Sequence, residues 1–144
     1  MYKRILVPLE HSSYDEAILA HVRTLAKLCG SALILVHVAD GWAARNIKGL
    51  NLRESEEMRE DRAYLTSARE DLEGDGFKVE ALLAAGDPAQ EIAAAAERER
   101  CDLIAMATHG HKGIGDIIHG TTANALRHLT EIPILMVRGV KAGK

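Results

Sequence analysis

The sequence predicts an α/β fold: a single doubly wound, five-stranded parallel sheet flanked by four helices, Rossmann-like in plan. Three observations carry this. Short apolar segments alternate strictly with longer segments of helical periodicity, five of the first kind with four of the second between them. The strand-like segments are apolar along nearly their whole length, as strands buried on both faces are. And 144 residues suffice to bury a core within one domain, here 1–144.

The elements follow in order. "RILVP" (4–8) is an apolar run ended by proline, the first strand. In "EHSSYDEAILAHVRTLAKLCG", Ser13 with Glu16 three residues on reads as a capping box. Ile18, Val22, Leu25 and Cys29 then recur at helical spacing, and Gly30 closes the helix. "ALILVHV" (32–38) is the second strand, and 39–50 has no clean period and reads as a loop. The charged stretch after it carries a narrow stripe of Met58, Leu65, Ala68 and Leu72, an amphipathic helix with most of its circumference in water. "FKVEALLAAG" is the third strand. Asp87 as cap and Pro88 at the first helical position start the third helix. "DLIAMAT" (102–108) is the fourth strand, "TTANALRHLTE" the fourth helix and "IPILMVRG" the fifth strand.

Composition narrows the function classes. The net charge is −3 and aromatic residues make up only 3%, so neither the clustered cations nor the stacking platforms of a nucleic-acid binder are provided. No apolar run approaches bilayer length and no signal peptide is evident, so no membrane association and a cytoplasmic location are expected. Cys29 and Cys101 read as small buried hydrophobes in a reducing compartment.

The chemistry points to two loops, one after the first strand and one after the fourth. In the second, Gly110, Gly113, Gly115 and Gly120 crowd between a strand and a helix. Glycine lets backbone N–H groups approach a ligand unobstructed, at an entropic cost that needs a reason. Gly120, Thr121 and Thr122 open the following helix, whose free N–H groups favour a phosphate. His109, His111 and Lys112 can add positive charge. The pattern is neither GxxxxGK[ST] nor GxGxxG. Seven histidines raise the question of a metal, but no HExxH or cysteine pairing accompanies them, so no metal site is expected. His37 reads as a satisfied core histidine, and His21 and His128 as helix-face residues.

"ILVPLEHSSYDEAI", "ILVHV", "GDPAQEI" and "IPILMV" together resemble the universal stress protein family over essentially the full chain. The most specific match is the nucleotide motif of its ATP-binding branch, G-x2-G-x9-G-[ST]. Gly110 and Gly120 have nine residues between them and Thr121 follows, while Ala107 takes the place of the motif's first glycine. Glu10 stands where members usually have Asp, and His11 where they often have Gly. The resemblance implies strand order 3-2-1-4-5, with both loops meeting where the order reverses. It implies that Pro8, Leu9 and Glu10, with Val38, hold adenine and ribose. Met106, Ala107, His109 and Gly110 would line the ribose and phosphate path, and Gly120, Thr121 and Thr122 would hold phosphates. The expected cofactor is ATP, or AMP or another adenine nucleotide, with Mg2+. A homodimer through the last strand (Ile134, Leu135, Met136, Val137) and a regulatory protein partner are also implied. No nucleophile or finger arginine stands beside Glu10, so binding with slow or absent turnover is expected and no catalytic residue is assigned. The competing expectation is a dimeric interaction protein of the same fold that binds no nucleotide. An adenylylating enzyme is disfavoured, because "PLEHSSYDE" has neither first-loop signature of such enzymes.

Overall fold

The structure, a computed structural model, describes residues 1–39, 56–108 and 120–139, with the backbone alone at 120 and 121. Its elements are β1 (Arg4–Pro8), α1 (Asp15–Cys29), β2 (Ala32–Ala39), α2 (Glu56–Gly74), β3 (Val79–Ala85), α3 (Pro88–Arg98), β4 (Leu103–Thr108), α4 (Gly120–Leu126) and β5 (Ile134–Arg138). The strands form one parallel sheet in the order β3-β2-β1-β4-β5. The chain therefore builds outward from β1 to β3, then returns to β1's other side with β4. At that reversal the connections leave on opposite faces and open a crevice beyond the carboxyl ends of β1 and β4.

Strand alternation divides the core in two. Leu6, Ile34, Val36, Val38, Ile104 and Met106 face Ile92 and Ala96 of α3 and Leu126 of α4. Ile5, Val7, Leu33, Leu35 and Ala105 face the other way, onto Ile18 and Val22 of α1 and Leu65 and Leu72 of α2. Both faces of the central strands are covered, which is why they read as unbroken apolar runs.

Local signals hold in most places. Gly30 ends α1 in the left-handed region (φ 70°), with its N–H and that of Ser31 both donating to Ala26 O. Asp87 caps α3, its carboxylate accepting from Gln90 N at 3.0 Å. The capping box expected at Ser13 and Glu16 is absent. The N-cap is Tyr14, with helical dihedrals and no side-chain cap bond. The carboxylate that organises this turn is Asp15, which faces back into the preceding loop. The fourth helix ends at Leu126, sooner than the pattern suggests, as the N–H groups of His128 and Leu129 tighten onto carbonyls three residues back. The expected loop from Ala39 begins one residue later, since Ala39 pairs with Ala85, and its remainder lies outside the described residues. Both cysteines are free. Burial pushes the Cys101 thiol up to about 11, whereas Cys29 is half-buried at the end of α1.

At the amino end of the sheet, the Asp102 carboxylate accepts from Lys3 N at 2.9 Å and Arg4 N at 3.0 Å. A cleft of about 1090 Å³ opens there, bordered by Lys3, Arg23, Lys27 and Lys78. Arg23 is engaged by Asp71 and Asp75. The last turn of α1 borders this cleft, so its cations complement a helix carboxyl end, which disfavours an anion.

Candidate functional site

The site lies at the opposite, carboxyl end of the sheet, where β1 and β4 diverge. Alternation sorts its residues. Pro8 shares the face of Leu6, and Val38 and Met106 occupy the same face on β2 and β4. Thr122, buried in the first turn of α4, reaches this side, since Ala123 and Leu126 pack there. Pro8, Val38, Met106 and the start of α4 therefore converge on one face. Leu9 and Ala107 fall on the other, packed among Ile18, Val22 and Leu65. Leu9 also uses both backbone groups, its N–H donating to Val36 O at 2.8 Å and its C=O accepting from His37 Nδ1 at 2.8 Å. Glu10 is half-buried at the turn of the first loop. Gly120 and Thr121 form the first turn of α4. His109 and Gly110, with His111, Lys112, Gly113, Gly115 and His119, lie outside the described residues.

Ala107, at the place of the family motif's first glycine, sits in β4 paired with Val137 and has no positive φ. An alanine is unstrained there. The glycine-like position is His11, at φ 65°. That backbone explains why glycine suits this place, and it disfavours a side chain by roughly 1–2 kcal/mol.

What holds His11 there is a polar cluster behind the loop. Asp15, 1% exposed, accepts from the N–H groups of Glu10 (2.9 Å), His11 (2.9 Å) and Ser12 (3.3 Å). Three successive N–H groups converging on one carboxylate make an anion nest already filled from within. Tyr64 of α2 donates to the same carboxylate at 2.6 Å. Burial, then the Asp15 contact, raise the Tyr64 pKa well above a normal phenol, so Tyr64 stays a neutral donor. The His11 ring stacks on Tyr64, centroids 4.2 Å apart, and its Nδ1 donates to Asp61 Oδ1 at 2.7 Å. Asp61, 5% exposed, also lies 3.3 Å through Oδ2 from Nε2 of His37. His37, expected as a satisfied core histidine, is half-buried and bonds Leu9 O through Nδ1, while its Nε2 faces the Asp61 carboxylate. His21 and His128 are exposed.

The sequence signal for Asp15 and Asp61 was available. Asp15 continues the buried stripe Ile18–Val22–Ala26 of α1, and Asp61 falls between Met58 and Leu65 on that of α2. An acid on a buried stripe needs a partner. The ring contacts of His11 and Tyr64 have no such local sign. Among the described residues, no group of three or more His, Cys, Asp or Glu side chains is arranged to hold a metal ion. Nor is any helix among them long and apolar enough to cross a membrane.

The sheet order and the crevice at its reversal define a doubly wound, Rossmann-like α/β protein. The universal stress protein family model matches residues 1–138, and the chain belongs to that family. Universal stress protein MJ0577 of Methanocaldococcus jannaschii is 30% identical over 155 residues, covering 96% of each chain. The solved MJ0577 structure superposes with a TM-score of 0.81 at 29% identity, covering 99% of each chain. The universal stress protein from Archaeoglobus fulgidus in complex with dAMP shares the fold (TM-score 0.70, 19% identity, 95% of this chain and 98% of that one). So does a universal stress protein in complex with cAMP (TM-score 0.66, 16% identity, 96% and 98%).

Proposed function

We propose that this chain, as a single domain, binds ATP with Mg2+ in the crevice between the loops after β1 and β4. In this reading it acts as a cytoplasmic, nucleotide-dependent regulator of stress responses, with slow or no hydrolysis. The observation that carries the reading is the convergence of Pro8, Val38 and Met106 on one face at the β1–β4 reversal, beside the first turn of α4. The apolar trio offers a surface for a base, and Glu10 a carboxylate for ribose hydroxyls. Gly120, Thr121 and Thr122 offer donors to phosphates, joined by His109 and Gly110. Leu9 and Ala107 contribute by fixing the backbone from the opposite face. Mg2+ would arrive bound to the phosphates, as it usually does. Two proteins of the same fold, solved with dAMP and with cAMP, support an adenine nucleotide as the ligand class.

The edge strand β5 supports a homodimer. Met136 is 55% exposed, and Ile134, Leu135 and Val137 are half-buried on a strand that, among the described residues, pairs on one side alone. A nucleotide-dependent change in contacts with a regulatory protein would complete the role.

Calorimetric titration of nucleotide-stripped protein tests the reading. Heat is expected with ATP and less with GTP. Absence of heat at millimolar ATP would end it in favour of a nucleotide-free interaction protein. Gly120→Val should lower ATP affinity at least about tenfold if phosphates meet the start of α4.

A further inference from the structure

We propose that Asp61 is a positioning residue for the nucleotide loop, and that proton uptake by His37 sets how firmly it grips that loop and so the affinity for ATP. This rests on the nucleotide reading above and adds its regulation.

The argument is one of hydrogen-bond direction. Leu9 O can only accept, so Nδ1 of His37, 2.8 Å away, carries a hydrogen. The other nitrogen, Nε2, lies 3.3 Å from Asp61 Oδ2. With a single proton on the ring, Nε2 turns a lone pair toward a carboxylate. With a second proton, taken from solvent, it donates to that carboxylate and His37 becomes a cation beside it. His11 needs no second proton, because its Nδ1–H alone satisfies Asp61 Oδ1. The chain from Leu9 O through His37 and Asp61 to His11 is therefore complete only when His37 is doubly protonated. Both ends of the chain are loop residues, and its middle is a buried side chain of α2.

The surroundings leave His37 as the responsive member. From α2 it faces Asp61, with Tyr64 beyond. From the loop it meets the His11 ring edge-on, centroids 6.3 Å apart, with Glu10 next in the chain. From α1, Asp15 is occupied by three backbone N–H groups and the Tyr64 hydroxyl, and Glu16 acts on Tyr64. From β3, Leu83 pairs with it in register and carries no charge. The cluster lies on the α1–α2 face, whereas Pro8, Val38 and Met106 face α3 and α4. Asp61 thus holds the loop from behind without occupying the crevice.

Mg-ATP titrations of wild type and Asp61→Asn between about pH 5.5 and about pH 8.5, the range in which histidine changes charge, test the proposal. Wild-type affinity is expected to fall about fivefold or more as pH rises, whereas Asp61→Asn, whose amide can accept from His11 Nδ1 and donate to Nε2 of a singly protonated His37, shows no such fall. ATP's own titration is common to both proteins and cancels in their ratio. An Asp61→Asn protein matching wild type in affinity and pH profile would overturn the proposal. Nitrogen-15 spectra of the histidine rings in nucleotide-free wild type need neither a variant nor ATP. They should show Nδ1–H of His37 retained throughout, and Nε2 gaining its proton in step with shifts of the Leu9 and Glu10 amides. Protonation that leaves those amides unmoved would overturn the device. A wild type that binds no ATP but shows the coupled shifts would defeat the nucleotide reading while leaving Asp61 as the positioning residue of the loop.

Discussion

Two carboxylates hold the backbone flanking β1, one at each end, in opposite surroundings. Asp102 takes the N–H groups of Lys3 and Arg4 at the amino end, in contact with water. Asp15 takes those of Glu10, His11 and Ser12 at the carboxyl end, out of water and with a phenol as fourth donor. Burial alone would raise the Asp102 pKa, but its backbone N–H bonds outweigh that and hold it below the usual aspartate range. Water can replace Asp102 as a partner for its two donors. Asp15 itself is buried and its donors are part-buried, so water replaces it less readily. The same motif is thus a modest anchor at one end and a stronger, buried one at the end where the ligand crevice opens.

The comparison can be broken most directly at Asp15. Asp15→Ala should leave three part-buried N–H groups and a half-buried phenol without their common acceptor, costing about 3 kcal/mol and lowering Tm by about 10 °C. Urea unfolding would measure it, and a loss no greater than that of Asp102→Ala would refute the contrast. Next in size is the strained residue that Asp15 holds. His11→Gly should be more stable than His11→Ala by about 1 kcal/mol, because both lose the ring contacts but only glycine relieves the φ of 65°. Equal stabilities would mean that the left-handed backbone is not what makes this position glycine-like.

Asp102→Asn should cost less, below about 1 kcal/mol at neutral pH after allowing for solvent screening. Its folded pKa lies below the unfolded one, so its contribution is complete above the ordinary aspartate range. It disappears as pH falls through the lowered folded value. Melting temperatures of the two proteins should converge in acid, and a constant difference would count against the assignment. The smallest effect is chemical. With its thiol pushed up to about 11 by burial, Cys101 should resist a thiol reagent at about pH 8 until denaturant is added, while Cys29 reacts in the native protein. Rapid titration of both would show that water penetrates the amino end further than its packing indicates.

Much of this arrangement was legible in the residues. The apolar runs at 4–8, 32–38 and 103–108 had to be strands covered on both faces, because no polar alternation gave them a wet side. Asp87 and Pro88 placed the start of α3 to the residue. At the start of α1, Ser13 and Glu16 satisfy the local capping pattern, yet the turn is organised by a carboxylate bonding backward into the loop. At the site, Pro8, Val38 and Met106 could be singled out by family resemblance. That they share a face, with Leu9 and Ala107 on the other, follows from strand parity once the register is known.

The sequence by itself determined the alternation of strands and helices and the two loops rich in binding groups, because periodicity and chain entropy act over a few neighbouring residues. Only the tertiary structure decided that Asp61, some fifty positions along from His11, would lie between two imidazoles. Contacts of that span depend on how α2 packs across β2, and no local pattern encodes which polar groups such packing will press together without water.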